Sequence, residues 1–176
     1  MTGNRWTSTS DRYLAPTSDD AWATEAAEHA DQGTQHLGDV GEIAASDDVA
    51  AALNLTPGAP VVVRRRVMLL NGQPVELTDS YYPTAVASGT PLAEPAKIPG
   101  GAVTLLANLG YTPHDVREDI TARPPTPEDR LDLNIPEQEP VIILTRTSRT
   151  RDGRPYEYSV MTMVARGRRL TYRMAP

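Results

Sequence analysis

A chain of 176 residues is long enough for one globular domain and short for two. Phe and Cys are absent, so the core must rest on Val, Leu, Ile and Ala, and disulfides, thiolate metal sites and cysteine nucleophiles are excluded. The net charge of −6 is uneven, −8 over residues 1–60 and +2 over 61–176, which argues against a chain that coats nucleic acid along its whole length.

Residues 1–37 read as a linker or arm rich in Thr, Ser, Asp and Ala, with Ser18 placed to cap a short helix over about 19–31 and Gly33 to stop it. Residues 38–176 read as the folded domain, and from Val40 onward its texture is that of strands with little helix. Ser46 and Thr126 are N-caps of short helices, each followed by first-turn acids (Asp47 and Asp48; Glu128 and Asp129), with Pro127 at a first helical position. Residues 100–110, carrying Leu105, Leu106 and Leu109, predict a helix of about three turns. A final strand is predicted over 170–174, after a basic segment ending at Arg169. No apolar run reaches the ~18 residues a membrane span requires. The N-terminus lacks a charged-then-apolar leader, and with no cysteine the expectation is a cytoplasmic protein.

An internal repeat organises the strands. Leu53-Asn54-Leu55 and Pro60-Val61-Val62-Val63 return 80 residues later as Leu133-Asn134-Ile135 and Pro140-Val141-Ile142-Ile143. Asn71-Gly72-Gln73-Pro74 with Glu76 returns 81 residues later as Asp152-Gly153-Arg154-Pro155 with Glu157, the extra residue implying a bulge or a longer turn in the second copy. Glu42-Ile43-Ala44-Ala45 loosely echoes Asp119-Ile120-Thr121-Ala122. Each copy therefore predicts strand, short helix, long strand, tight turn, strand. The fold class is α+β, an antiparallel sheet of six or seven strands with short helices.

Register decides what the first hairpin offers a ligand. A two-residue turn at Asn71-Gly72 pairs Arg66 with Leu77 and mixes the faces. A three-residue turn pairs Arg66 with Glu76 and Arg64 with Thr78, and separates them. One face then carries Val61, Val63, Val67, Val75, Leu77 and Tyr81, broken by Arg65 and Asp79. The other carries Arg64, Arg66, Met68, Glu76, Thr78 and Ser80, with Arg146, Glu157 and Ser159 as the second copy's counterparts. The second arrangement is preferred. Such a polar face suits a small polar or anionic molecule, because arginine is a rigid fork of donors matched to carboxylate or phosphate. It also suits plain solvation, with cross-strand Arg–Glu pairs worth only ~0.2–1 kcal/mol. The residues alone do not choose. The basic clusters Arg146 to Arg154 and Arg166 to Arg169 are equally open to a solvated reading.

No catalytic constellation stands out: the chain has no G-x-S-x-G elbow, Walker A loop or G-x-G-x-x-G fingerprint. His29, His36 and His114 lack metal spacing, and no cofactor or metal is implied. Glu118 and Asp119 are neighbours on a strand, so they point to opposite faces and read as two separate surface charges.

Taken in order, three groups of residues resemble a UTRA domain, the effector-sensing part of HutC-type regulators in the GntR family. They are Gly58 to Val67, then Asn71 to Val75 and Ser80-Tyr81-Tyr82-Pro83. The second half would be Glu118 to Arg123, Thr126-Pro127-Glu128, Arg146-Thr147 and Asp152 to Ser159. The resemblance covers about residues 38–175 and implies a chorismate-lyase-like fold. It also implies a small-molecule effector, a homodimer, and operator DNA contacted only through a winged helix-turn-helix, for which residues 1–36 are too short and too acidic; the Arg12-Tyr13 region would be the linker from it. The family's sugar-phosphate sensors grip phosphate with two arginines at alternating positions of the first hairpin. Arg66 matches the first and Met68 stands at the second, which favours a less charged or more apolar effector. Thr78 would supply a polar contact, Gly101 and Ala102 backbone donors at a helix start, Glu157 and Ser159 ligand-facing groups, and Met163 stands where an aromatic is frequent. A dimerisation module with a vestigial pocket and a chorismate-lyase-like enzyme are the alternatives.

Overall fold

Ser46 and Thr126 each turn a strand into a helix, as their hydroxyls predict. In the computed structural model, which describes residues 6–8, 14 and 21–172, Ser46 accepts from the Val49 amide and Thr126 forms a reciprocal capping box with Asp129. The helices that follow, α2 (Asp47–Leu53) and α5 (Pro127–Asp132), end alike. Leu53 and Leu133 are buried, and Asn54 and Asn134 take left-handed backbone conformations at φ 55° and 52°. Asparagine is one of the few non-glycine residues that tolerates this region, so the Leu-Asn repeat is a repeated helix stop.

The two copies build one sheet. The first supplies β2 (Gly33–Ala44), β3 (Pro60–Leu70) and β4 (Gln73–Pro83); the second supplies β5 (Asp115–Arg123), β6 (Val141–Arg149) and β7 (Pro155–Val164). Their order, β2-β3-β4-β7-β6-β5, is antiparallel throughout and nearly two-fold symmetric about the β4–β7 seam. There Ser80 faces Ser159, and their hydroxyls share a 2.9 Å hydrogen bond. A separate pair of short strands, β1 (Trp6–Ser8) and β8 (Arg168–Leu170), runs parallel.

The preferred hairpin register is wrong in its pairs and right in its faces. Asn71 and Gly72, both left-handed, form a two-residue turn, with Leu70 opposite Gln73 and Leu69 opposite Pro74. The register then shifts at Val75, which pairs Met68 with Glu76, Arg66 with Thr78 and Arg64 with Ser80. The two-residue turn and the bulge together move the pairs beyond Val75 by two residues from the expected register, which conserves the side each chain segment presents there. The second copy has the longer turn, closed by the Thr150 amide on the Arg154 carbonyl.

The cover of the sheet also differs from the sequence reading. Instead of an arm up to residue 37, β2 begins at Gly33, and α1 (Ala21–Glu28) stops at Glu28 rather than near 31; Ser18 and Arg12-Tyr13 lie outside the described residues. Trp22 and Ala26 of α1 pack on Met68, Leu70 and Val75. α2 packs Ala45, Val49, Ala50 and Leu53 on Val61 and Tyr158. On the polar face, α3 (Thr84–Ala87), a turn of 3₁₀ helix at Pro91–Ala93 and α4 (Gly101–Asn108) close over Val62, Tyr82 and Tyr156. The last strand is Arg168–Leu170 rather than 170–174, and Leu170 packs on Leu144, Met161 and Met163. Among the described residues no helix is long and apolar enough to cross a membrane.

Candidate functional site

The polar face is interior. Helices cover one end of it, α1 another and β8 a third, and the groups left between are guanidinium, hydroxyl and carboxylate. The two arginines that alternate on β3 have opposite fates. Arg64 is 4% exposed, and its guanidinium donates to the carbonyls of Pro91, Leu92, Glu94 and Ala96 at 3.2, 3.0, 2.7 and 2.8 Å. Its nitrogens are spent on anchoring the loop that carries the 3₁₀ turn. Arg66 is only partly buried and donates from Nη2 to Ser80 Oγ at 2.9 Å; its Nε is buried with no acceptor among the described residues. A buried donor without a partner costs ~1–3 kcal/mol, so Arg66 holds unspent bonding capacity.

Around Arg66 the strands place a ring of polar groups. Ser80 and Ser159 lie beside it, and Thr78 opposite it donates to Glu76 Oε1 at 2.8 Å. The Tyr82 hydroxyl donates to Glu157 Oε1 at 2.9 Å. Burial, then the Glu157 carboxylate, pushes the Tyr82 phenol far above its ordinary pKa, so it stays a donor. Farther along, Arg146 Nε donates to Glu118 Oε1 at 2.5 Å, and Tyr172 donates to Glu118 Oε2 at 2.7 Å. The Arg146 and Glu118 side chains are only 12% and 10% exposed. Glu118 is therefore no surface charge, because β5 turns it inward onto β6; Asp119 points the other way, is exposed and pairs with Arg117 at 2.9 Å.

The remaining sequence-predicted site residues divide by neighbourhood. Met68 sits under Trp22, and Met163 sits with Leu144, Met161 and Leu170, so both are packed in apolar clusters. Gly101 opens α4, its amide bound to the Ile98 carbonyl, and Ala102 packs against the cluster around Val62 and Tyr82. The structure thus brings Arg66, Thr78, Glu76, Ser159 and Glu157 onto one face. It also adds Tyr82, Glu118, Tyr172 and Arg168, which sequence reasoning had not assigned. Their signal was weak, since each acts on a strand far off in sequence. A shallow surface depression lined by Gly110, Thr112 and Thr150 to Asp152 contains none of these residues. Among the described residues no group of His, Asp and Glu forms a metal site.

A six-stranded antiparallel sheet, duplicated about a central seam, with a polar inner face closed by a helical crossover and a returning strand β8, is a chorismate-lyase-like fold. The UTRA domain family matches residues 31–166, and the chain belongs to that family. A curated relative is an uncharacterised HTH-type transcriptional regulator of Streptomyces coelicolor, 36% identical over 124 residues; the match takes in 69% of this chain and 46% of the relative, so the chain spans about half the relative's length. The effector domain of PhnF from Mycobacterium smegmatis superposes with a TM-score of 0.75 at 19% identity, covering 88% of this chain and 94% of that one. A structure assigned to the GntR family of transcriptional regulators gives a TM-score of 0.76 at 28% identity, over 86% of this chain and 62% of the other.

Proposed function

We propose that this domain binds a small polar metabolite on the Arg66 face and serves as the sensor of a HutC-type GntR regulator. In this reading the domain is a homodimer, residues ahead of the sheet lead from a DNA-reading domain, and the ligand changes the dimer's geometry and hence its hold on operator DNA. The observation that carries the reading is the buried Nε of Arg66, without an acceptor among the described residues, beside the Ser80–Ser159 pair. An anionic or strongly accepting ligand group supplies what that donor lacks. Kinship with transcription regulators favours a binding domain over a lyase, because function follows the site and not the fold.

Thermal-shift screening against a metabolite library tests the reading. A ligand at about 100 times its Kd stabilises the native state by about 2.7 kcal/mol, which for a domain of this size is a rise of roughly 5–10 °C. Arg66→Met should abolish that rise. A hit whose shift survives in Arg66→Met removes Arg66 from the site, and a library with no hit removes the sensor reading. Sedimentation velocity checks the dimer: a monomer at tens of micromolar, with and without the hit, ends that part of the proposal.

A further inference from the structure

On the same face as Arg66 a second guanidinium is buried and underused. Arg168 is the first residue of β8, and its side chain is 3% exposed. Its Nη2 lies 3.4 Å from Glu76 Oε2 and 3.4 Å from the Val75 carbonyl oxygen, both long contacts. Its Nη1 is buried and has no acceptor among the described residues. Glu76 meanwhile accepts from Thr78, and Thr78 stands directly opposite Arg66. Two guanidiniums, each with one buried unpaired nitrogen, therefore flank a single carboxylate–hydroxyl pair.

The other charges on the strands of this face are already engaged. Glu118 pairs with Arg146, Glu157 is held by Tyr82, and Arg64 is bound by carbonyls alone. Among the described strand residues, Arg64, Arg66, Arg146 and Arg168 thus share this face with Glu76, Glu118 and Glu157, and Glu25 of α1 is buried as well. Arg168 is paired only loosely, with Glu76 at 3.4 Å; a buried cation so paired is costly, and the cost falls when an anion enters.

We propose that Arg168 is a ligand-binding residue, which together with Arg66 takes an oxyanion of the effector, phosphoryl or carboxylate. The inference rests on the Arg66 site proposed above and adds the chemistry of its ligand. Met68 leaves β3 with one free arginine on this face; Arg168 brings the second cation from the far end of the chain. Since β8 pairs with β1, an oxyanion held by Arg168 also joins the sheet face to that strand.

The test is titration of the whole chain with inorganic phosphate and, separately, acetate, against sodium chloride at matched ionic strength. It is followed by the arginine side-chain ¹H–¹⁵Nε resonances. The expected result is that the Arg66 and Arg168 signals move together and saturate at one apparent Kd. Phosphate acting alone marks a phosphoryl ligand; acetate acting alone marks a carboxylate. Arg168→Gln should weaken that Kd, read on Arg66, by about tenfold or more, and Arg168→Lys should recover part of the loss. An Arg168 signal that stays still while Arg66 titrates overturns the inference, as does wild-type affinity in Arg168→Gln; either result leaves the Arg66 reading standing. A wild-type chain that responds to neither anion also overturns it, while the metabolite screen still judges the sensor reading. Should Arg168→Gln fail to fold, the wild-type Arg168 resonance decides.

Discussion

Arg64 and Arg66 are two residues apart on one strand face, yet the structure gives one to the fold and the other to the ligand, and replacing each by methionine separates the two roles. Arg64→Met keeps the aliphatic stem and strips four carbonyls of their donor. The bond to Leu92 is buried, while those to Pro91, Glu94 and Ala96 are part-buried, so their carbonyls can recruit water. At about 1–3 kcal/mol for the buried acceptor and about 0.5 for each of the others, the loss is about 3–4 kcal/mol. For a domain of this size that lowers Tm by about 10 °C. Arg66→Met gives up one hydrogen bond to Ser80, worth about 1 kcal/mol, and removes an unpaired buried N–H, which offsets it. Its Tm should stay within about 4 °C of the parent. Differential scanning calorimetry of both variants without ligand measures this, and hydrogen exchange should show residues 91–96 opening in Arg64→Met alone. A loss below about 3 °C for Arg64→Met, or equal losses for the two variants, would refute the division of labour.

Three further outcomes are expected. Burial opposes the charge on Asp129, but its bonds from Arg123 and Thr126 prevail and hold the carboxyl below its usual range. That stability is present above the unfolded pKa near 4 and lost as pH falls through the lower folded value. Asp129→Asn should therefore cost about 1 kcal/mol near neutral pH, and the gap to the parent in urea melts should close on acidification. Burial, then Asp79, pushes the Tyr81 phenol up to about 12, and burial, then Glu157, does the same for Tyr156; Tyr82 lies higher still. Their folded pKa values exceed the unfolded one near 10, so stability falls as pH rises from about 10 to 12. Spectrophotometric titration of the native protein at pH 11 should show these three of the seven tyrosines mostly un-ionised, and full ionisation there would contradict the burial assigned to them. A Cβ on Gly33 would lie 2.7 Å from Ala26 Cβ and 2.9 Å from the Trp22 carbonyl oxygen. Gly33→Ala should therefore push α1 off the sheet at a cost of about 1–3 kcal/mol, visible as a red-shifted Trp22 emission; unchanged fluorescence and stability would show that α1 yields freely.

What the amino-acid order determined by itself was mostly local. Caps at Ser46 and Thr126, left-handed stops at Asn54 and Asn134, turns at Asn71-Gly72 and Asp152-Gly153, and the side of the strand on which Arg64 and Arg66 lie all follow from side chains acting on their own backbone. Period-two alternation survives a two-residue error in pairing, so the polar face was legible while its partners were not; the bulge at Val75 has no composition that announces it. The division between Arg64 and Arg66 needed the carbonyls of residues 91–96 brought within reach of one and not the other. Arg168 meets Glu76 only after β8 folds back across 92 residues of chain separation, and Glu118 changes from surface charge to buried partner because β5 lies against β6. Whether a charged group is spent, paired or left wanting depends on which distant atoms surround it, and only the packed tertiary structure supplies those atoms.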